Sequence, residues 1–278
     1  KSFKLLPSVL NEIQKKGYIK PTTIQAKSIP ALMQGYDLLG IAQTGTGKTA
    51  SFSLPIIDRL ARVQNKLTAF QVRALILAPT RELATQIHKN ICSYSKGSKV
   101  NSAIVIGGLR KENQIEELKD GMDIIVATPG RLMDLMSGGH IRFDELEVFV
   151  LDEADMMLDF GFLEDVKTIS ARLPEDRQTI FFSATMPRQI EELAKKLLIE
   201  PVKVQSAPQS TTIEKIDQLV YFVEENDKML LLLSLLEDES IERVLIFCKA
   251  KYGVLNVVEA LEQNGISHGE IHSNRTQT

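Results

Sequence analysis

The chain has 278 residues, is 44% hydrophobic and carries a formal net charge of −3. That length exceeds one typical domain and suffices for two cores, while the near-neutral balance excludes a protein held on nucleic acid by bulk charge. No apolar run reaches membrane length, no signal peptide opens the chain, and Cys92 and Cys248 stand in no metal-like spacing, so the expectation is a soluble, cytoplasmic protein with unpaired thiols.

Residues 4–16 have helical spacing, with Leu6, Leu10 and Ile13 on one face, and Pro21 and Pro30 bracket a second short helix. Short apolar strands then alternate with amphipathic helices. The strands are expected at Leu38–Ala42, Ala74–Ala78, Asn101–Ile106, Asp123–Ala127, Val148–Leu151, Thr179–Phe182 and Val202–Val204. Helices are expected near Thr49–Arg62, Arg81–Lys96, Lys111–Lys119, Gly130–Met136, Phe162–Leu173 and Arg188–Leu198. Val148-Phe149-Val150-Leu151 is apolar at every position, which implies burial on both faces and a mostly parallel α/β sheet covered by helices. Residues 206–212 read as a polar linker between a first domain, 1–205, and a second unit, 213–278. The second unit should run strand Ile216–Val223, helix Lys228–Glu237, strand Arg243–Phe247, helix Gly253–Asn264 and strand Ser267–Ile271. Three strands and two helices make a thin core, so the chain reads as cut inside its second domain. Leu230–Leu236 is expected to be the buried side of its helix. Residues 207–278 hold 12 acidic and 6 basic side chains, against 24 and 27 in residues 1–206.

The chemistry concentrates first in Gly40-Ile41-Ala42-Gln43-Thr44-Gly45-Thr46-Gly47-Lys48-Thr49. It follows an apolar strand and opens a helix, the context a phosphate-binding P-loop needs. Gly45 and Gly47 let the backbone approach an anion, loop and helix amides point at phosphate oxygens, Lys48 reaches the terminal phosphates, and the Thr49 hydroxyl ligates Mg²⁺. Ala42 stands where the general pattern has glycine. Asp152 ends an apolar strand, at the edge where α/β sheets bind ligands. There it would hold Mg²⁺, with Glu153 placed to orient or deprotonate an attacking water. The competing reading is an acidic helix N-terminus favourable to the macrodipole.

Asp152-Glu153-Ala154-Asp155 brings the chain to a family: it resembles the DEAD-box ATP-dependent RNA helicases. Ala42–Thr49 is similar to the family's motif I, alanine included. Gly17-Tyr18-Ile19-Lys20-Pro21-Thr22-Thr23-Ile24-Gln25 is similar to its Q motif. Pro79-Thr80-Arg81-Glu82-Leu83, Gly107-Gly108 and Thr128-Pro129-Gly130-Arg131 resemble its RNA-contacting motifs, Ser183-Ala184-Thr185 its motif III, and Val244–Lys249 the strand of motif IV. Each motif is weak singly; eight in order are specific.

The resemblance implies two RecA-like domains that close over ATP and a single RNA strand, with Mg²⁺ as cofactor and ATP or ADP exchanging. It implies that Tyr18, Lys20 and Gln25 join Thr44, Gly45, Thr46, Gly47, Lys48 and Thr49 in nucleotide binding. Tyr18 would stack on the adenine and Gln25 pair with its edge. Lys48, Asp152 and Glu153 would be catalytic, and Thr49 and Asp152 the metal ligands. The hydroxyls of Ser183 and Thr185 are placed to bond the carboxylate of Asp155 or of Glu153, and the resemblance implies that Asp155, Ser183 and Thr185 report nucleotide state to the RNA side. Without the family, Gln25 reads as the polar face of a short helix. Phe3 sits nearer the Gly17-Tyr18 pair than the family's upstream aromatic and reads equally as packing.

Pro79, Thr80, Arg81, Gly107, Gly108, Thr128, Pro129, Gly130 and Arg131 fall where strands end and helices begin. Free amides and arginines there suit a phosphodiester backbone without reading its sequence. Each loop alone reads as a helix cap, with Thr80 and Thr128 as cap residues and Pro129 in a first turn. His88, His140, His268 and His272 form no ligand pattern, so no zinc is expected. The family's arginine finger and later second-domain motifs have no counterpart in this sequence, from which the expectation is nucleotide binding with poor hydrolysis and no unwinding. A nucleotide-gated RNA-binding adaptor and a DNA-directed P-loop motor are the alternatives.

Overall fold

A computed structural model describes residues 3–63, 66–205, 217–238 and 240–272. The chain divides into two compact units, Lys1–Gln209 and Ser210–Thr278. The expected linker, 206–212, and residues 213–216 lie outside the described residues.

In the first unit, β1 (Leu38–Ile41), β2 (Val72–Leu77), β3 (Ser102–Val105), β4 (Met122–Ala127), β5 (Val148–Leu151), β6 (Gln178–Ser183) and β7 (Val202–Gln205) form one sheet. Its spatial order is β3-β4-β2-β5-β6-β1-β7, and every pairing is parallel. The central strands are mostly apolar because both faces are covered and side chains alternate between them. Val148 and Val150 enter one core with the helices α1 (Pro7–Lys15), α2 (Thr23–Met33), α3 (Lys48–Arg62) and α4 (Arg81–Tyr94). Phe149 and Leu151 enter the other, with α5 (Lys111–Leu118), α6 (Pro129–Ser137), α7 (Ala154–Asp159), α8 (Leu163–Ser170) and α9 (Arg188–Leu197). The fold is the α/β, RecA-like arrangement expected. Phe3 packs against the first of these cores.

Two local expectations change. Pro30 does not end α2: the helix runs on to Met33. A proline in the last turn removes one hydrogen bond, and burial of Ile29 and Leu32 outweighs it. The short helix α7 was not among the helices expected; it starts at the acidic pair Asp152-Glu153.

The second unit forms its helices, α10 (Lys228–Leu236) and α11 (Lys251–Gln263), but no strands among its described residues. Among the described residues, 217–223, 243–247 and 267–271 pair with nothing as strands. A strand exists through its neighbour's ladder, which the alternation of a single segment cannot supply. Apolar side chains therefore stay in solvent, Phe222 at 98% and Phe247 at 87% exposure. The leucine run is likewise not a buried face: α10 has no buried residue. No described helix is long and apolar enough to cross a membrane.

Candidate nucleotide and RNA site

The loop after β1 turns through two left-handed glycines, Gly45 (φ 83°) and Gly47 (φ 96°). Their surroundings differ. A Cβ on Gly45 would meet open space, whereas one on Gly47 would stand 2.6 Å from Gln25 Nε2. Gly47 caps α3 without a side-chain hydrogen bond, so the first amides of α3 are left to an anion. Thr46 Oγ1 donates back to Gln43 O (2.8 Å) and tightens the turn.

Lys48, buried in the first turn of α3, points at the carboxylates that end β5. Its Nζ lies 3.7 Å from Asp152 Oδ1 and 3.5 Å from Glu153 Oε1. Thr44 Oγ1 donates to the same Glu153 oxygen at 2.8 Å, so two loop residues fix one carboxylate. Glu153 adopts φ 53°, a left-handed conformation uncommon for a side-chain-bearing residue, and its amide donates to Asp152 Oδ1 (3.0 Å). Burial pushes the Asp152 carboxyl up to about 6; the Lys48 ammonium opposes this and the Glu153 charge adds to it.

Gln25 bridges the Q-motif helix to the loop. Its Oε1 accepts from Thr22 N (3.0 Å) in a capping box at the start of α2, and its Nε2 donates to Gly47 O (3.2 Å). A primary amide still retains one N–H and one lone pair, the pair of functions an adenine edge requires. Tyr18 is 45% exposed, with its hydroxyl 3.4 Å from that of Tyr94. Lys20 is exposed nearby in sequence.

Between β5 and β1, β6 ends at Ser183. Ser183 Oγ accepts from Asp155 N (3.2 Å), while the Asp155 carboxylate accepts from Thr185 N and Oγ1, both 2.9 Å. Burial pushes the Asp155 carboxyl up, but the hydrogen bonds from Thr185 and Ser183 outweigh it and hold it below the usual range. The motif III hydroxyls thus engage Asp155 and not Glu153, which Thr44 occupies instead.

The other three loops meet at the ends of β2, β4 and β3. The Arg81 guanidinium lies against the backbone of Gly107 and Gly108: a Cβ there would stand 3.1 Å and 2.7 Å from its nitrogens. Arg131 Nη1 donates to Leu109 O (3.1 Å) from the opposite loop. Two arginines therefore flank one glycine turn. Thr80 caps α4 through Leu83 N (3.1 Å), whereas Thr128, the residue before α6, makes no side-chain cap bond. Pro129 opens α6, and a Cβ on Gly130 would meet nothing within 4 Å.

The family model of the DEAD/DEAH box helicases matches residues 22–193. The chain belongs to the DEAD/DEAH box helicase family. It is 42% identical over 270 residues to "ATP-dependent RNA helicase DeaD" of Escherichia coli (strain K12), covering 97% of this chain and 42% of that protein. It is 38% identical over 277 residues to "DEAD-box ATP-dependent RNA helicase CshA" of Streptococcus pneumoniae serotype 4, covering 98% of this chain and 52% of that one. The crystal structure of a DEAD box protein from the hyperthermophile Methanococcus jannaschii superposes with a TM-score of 0.68 at 36% identity, over 98% of this chain and 72% of the other. The chain thus spans about half or less of the length of these curated relatives.

The residues gathered at this edge fit a Mg²⁺–nucleotide chemically. An uncapped helix N-terminus, a buried ammonium and a buried aspartate of raised pKa form a set that a Mg²⁺–triphosphate would complete. Mg²⁺ keeps several waters and needs few protein oxygens. Asp152 and Thr49 would hold it, and it would supply charge neutralisation at the phosphates. Motif spacing names most of these residues but does not reveal the Thr44–Glu153, Gln25–Gly47 and Arg81–Gly107 contacts, which join residues far apart in sequence.

Proposed function

We propose that this chain is the ATP- and RNA-gripping part of an ATP-dependent RNA helicase that binds Mg²⁺–ATP and single-stranded RNA and parts short duplexes locally. The observation that carries this reading is the division of one sheet edge. Loops after β1, β5 and β6 hold the nucleotide residues, and loops after β2, β3 and β4 hold the three backbone-gripping motifs. The names of the relatives support ATP as the fuel and RNA as the partner. Residues 1–205 form the N-terminal RecA-like domain, and residues 213–278 are part of a second.

In this reading Lys48 and the amides of α3 bind the phosphates, and Tyr18, Lys20 and Gln25 recognise the adenine. Glu153 takes or orients the proton of the attacking water, with its carboxylate held by Thr44. Asp155, Ser183 and Thr185 connect the two ligand sites. Thr80, Arg81, Gly107, Gly108, Pro129, Gly130 and Arg131 grip phosphates and sugars, a sequence-independent mode.

The test is the ATPase rate with and without single-stranded RNA, in this chain and in Glu153→Gln, beside the affinity for a fluorescent ATP analogue. RNA-stimulated turnover that falls about 100-fold or more in the variant, with nucleotide affinity kept, is expected of a general base. Equal and substantial turnover in both proteins would remove Glu153 from the chemistry, whereas no turnover in either, with nucleotide affinity intact, would make these residues the binding half of a two-domain ATPase.

A further inference from the structure

We propose that the starting edge of the sheet carries a docking cleft for a segment of a partner protein in which a carboxylate stands beside a basic side chain. The cleft, of about 430 Å³, lies between Gly35, which precedes β1, the stretch 144–147 before β5 and the stretch 176–178 that opens β6, with Arg59 of α3 also in its wall. β5, β6 and β1 are neighbours in the sheet, and Asp152, Ser183 and the loop of Gly45 and Gly47 follow their other ends. The parallel arrangement therefore sets the cleft at least one strand length, roughly 13 Å, from those residues. It does not rest on the function proposed for them.

Two guanidiniums are held in this cleft, and neither has its full set of acceptors. Arg177 is fixed in orientation: Nη1 donates to Pro174 O, and Cζ stands 5.9 Å from the centre of the Phe149 ring. Its Nε is nevertheless buried without a hydrogen-bond partner among the described residues. Arg59 makes no hydrogen bond or ion pair among the described residues, and its Nη2 lies against the Gly35 turn, 3.6 Å from where a Cβ would stand. Burial pushes both arginines below the usual range; the Glu147 charge opposes this at Arg59, and Asp37 and Glu175 oppose it at Arg177. Glu147 is already bonded by Arg73 Nε (2.8 Å). A half-buried guanidinium has lost much of its hydration before any ligand arrives, so an incoming carboxylate gains a charge-assisted pair at reduced desolvation cost.

The acidic residues decide what else the ligand carries. Asp144 is engaged by Gln71 Nε2 (2.6 Å) and Arg142 Nη2 (2.9 Å). Glu145 and Asp176 are exposed, and their carboxylates bond nothing among the described residues. Two unpaired arginines and two unpaired carboxylates in one cleft disfavour a simple anion and a simple cation alike, and match a ligand that brings both charges. A polypeptide fits better than a small zwitterion because the cleft continues into exposed apolar side chains. Gln178 Nε2 donates to Tyr36 O (2.6 Å) and Ile199 N donates to Asp37 Oδ2 (2.8 Å), which ties the exposed Tyr36 and Ile199 to this edge. Arginine and tyrosine are the residue types that protein interfaces concentrate.

Amide NMR of the whole chain with short synthetic peptides tests the proposal. A peptide that alternates glutamate and lysine should shift the amides of Gly35, Leu146 and Arg177 saturably, with a millimolar dissociation constant. All-glutamate and all-lysine peptides of the same length should bind about threefold more weakly or worse. Arg59→Gln removes no hydrogen bond from the folded chain; it should weaken the mixed peptide about tenfold and leave the affinity for a fluorescent ATP analogue unchanged. Glu145→Gln combined with Asp176→Asn should abolish the preference for the mixed peptide over the acidic one. Absence of saturable shifts at these amides, equal binding of the three peptides, or full binding of the mixed peptide by Arg59→Gln would overturn the assignment. So would tighter binding of inorganic phosphate or of single-stranded RNA at the same amides.

Discussion

The two halves of the sheet edge handle charge in opposite ways. On the β5-β6-β1 side, Lys48, Asp152 and Glu153 are all buried and already engaged with one another. On the β3-β4-β2 side, the glycine turn is open backbone, and the arginines that flank it act as walls. In the proposed reading, the difference lets one scaffold serve two ligands. Phosphoryl chemistry needs a few charges held in low dielectric, where each counts strongly. Gripping a nucleic-acid backbone needs amides and cations spread over a surface that water still reaches.

Lys48→Ala breaks the comparison most severely. It leaves two buried carboxylates without their cation and removes a charge-assisted phosphate contact. Affinity for a fluorescent adenine nucleotide, read by titration, should fall on the order of 100-fold, with RNA binding in the absence of nucleotide preserved.

Asp152→Asn probes the same half through pH. The Asp152 carboxyl stands at about 6 in the folded chain, against 3.8 for an ordinary aspartate, chiefly because it is buried. A raised carboxyl favours folding where it is protonated, so that contribution to wild-type stability is complete below about 4 and lost as pH rises through about 6. Asparagine carries no charge to bury. The advantage of the variant over ligand-free wild type in denaturant unfolding should therefore grow across that window and level off near 2–3 kcal/mol, an order-of-magnitude figure. A constant difference between the proteins from pH 4 to 7 would refute the burial account.

Arg81→Ala sharpens the contrast from the other side. RNA affinity should drop about tenfold, and its salt dependence should flatten by about one ion, while nucleotide affinity stays put. A matching loss of nucleotide affinity would mean that the two halves are not separable in this way.

The smallest effect separates two threonines that look alike in sequence. Thr80→Ala should lower stability by about 1 kcal/mol, because its hydroxyl caps α4. Thr128→Ala removes no cap bond and should cost less in the same unfolding measurement.

Much of the first unit is legible from residues alone, because its signals are local. Strands such as Val148–Leu151 are apolar at every position, and helices such as α9 carry a clear amphipathic period, so many elements fall close to their expected bounds, while α1 starts later and α8 ends earlier than expected. The phosphate loop and the Asp152-Glu153 pair are equally plain, since a strand–glycine–lysine–helix arrangement is contiguous. Pro30 misleads because the burial of Ile29 and Leu32 that outweighs its lost hydrogen bond is a tertiary effect.

The second unit shows the opposite case. Its helices are read correctly, since their hydrogen bonds are internal to the segment. Among the described residues its three expected strands do not form, since a strand needs a neighbour that the segment cannot specify.

By itself the sequence determined the kinds of elements, the family and the chemical inventory of the site, because composition, periodicity and contiguous motifs carry that information. Only the tertiary structure decided that β6 separates β5 from β1, that Thr44 rather than motif III holds Glu153, and that Arg81 closes on Gly107. Each of these is a contact across many residues, set by how strands order and helices pack, and no local pattern encodes it.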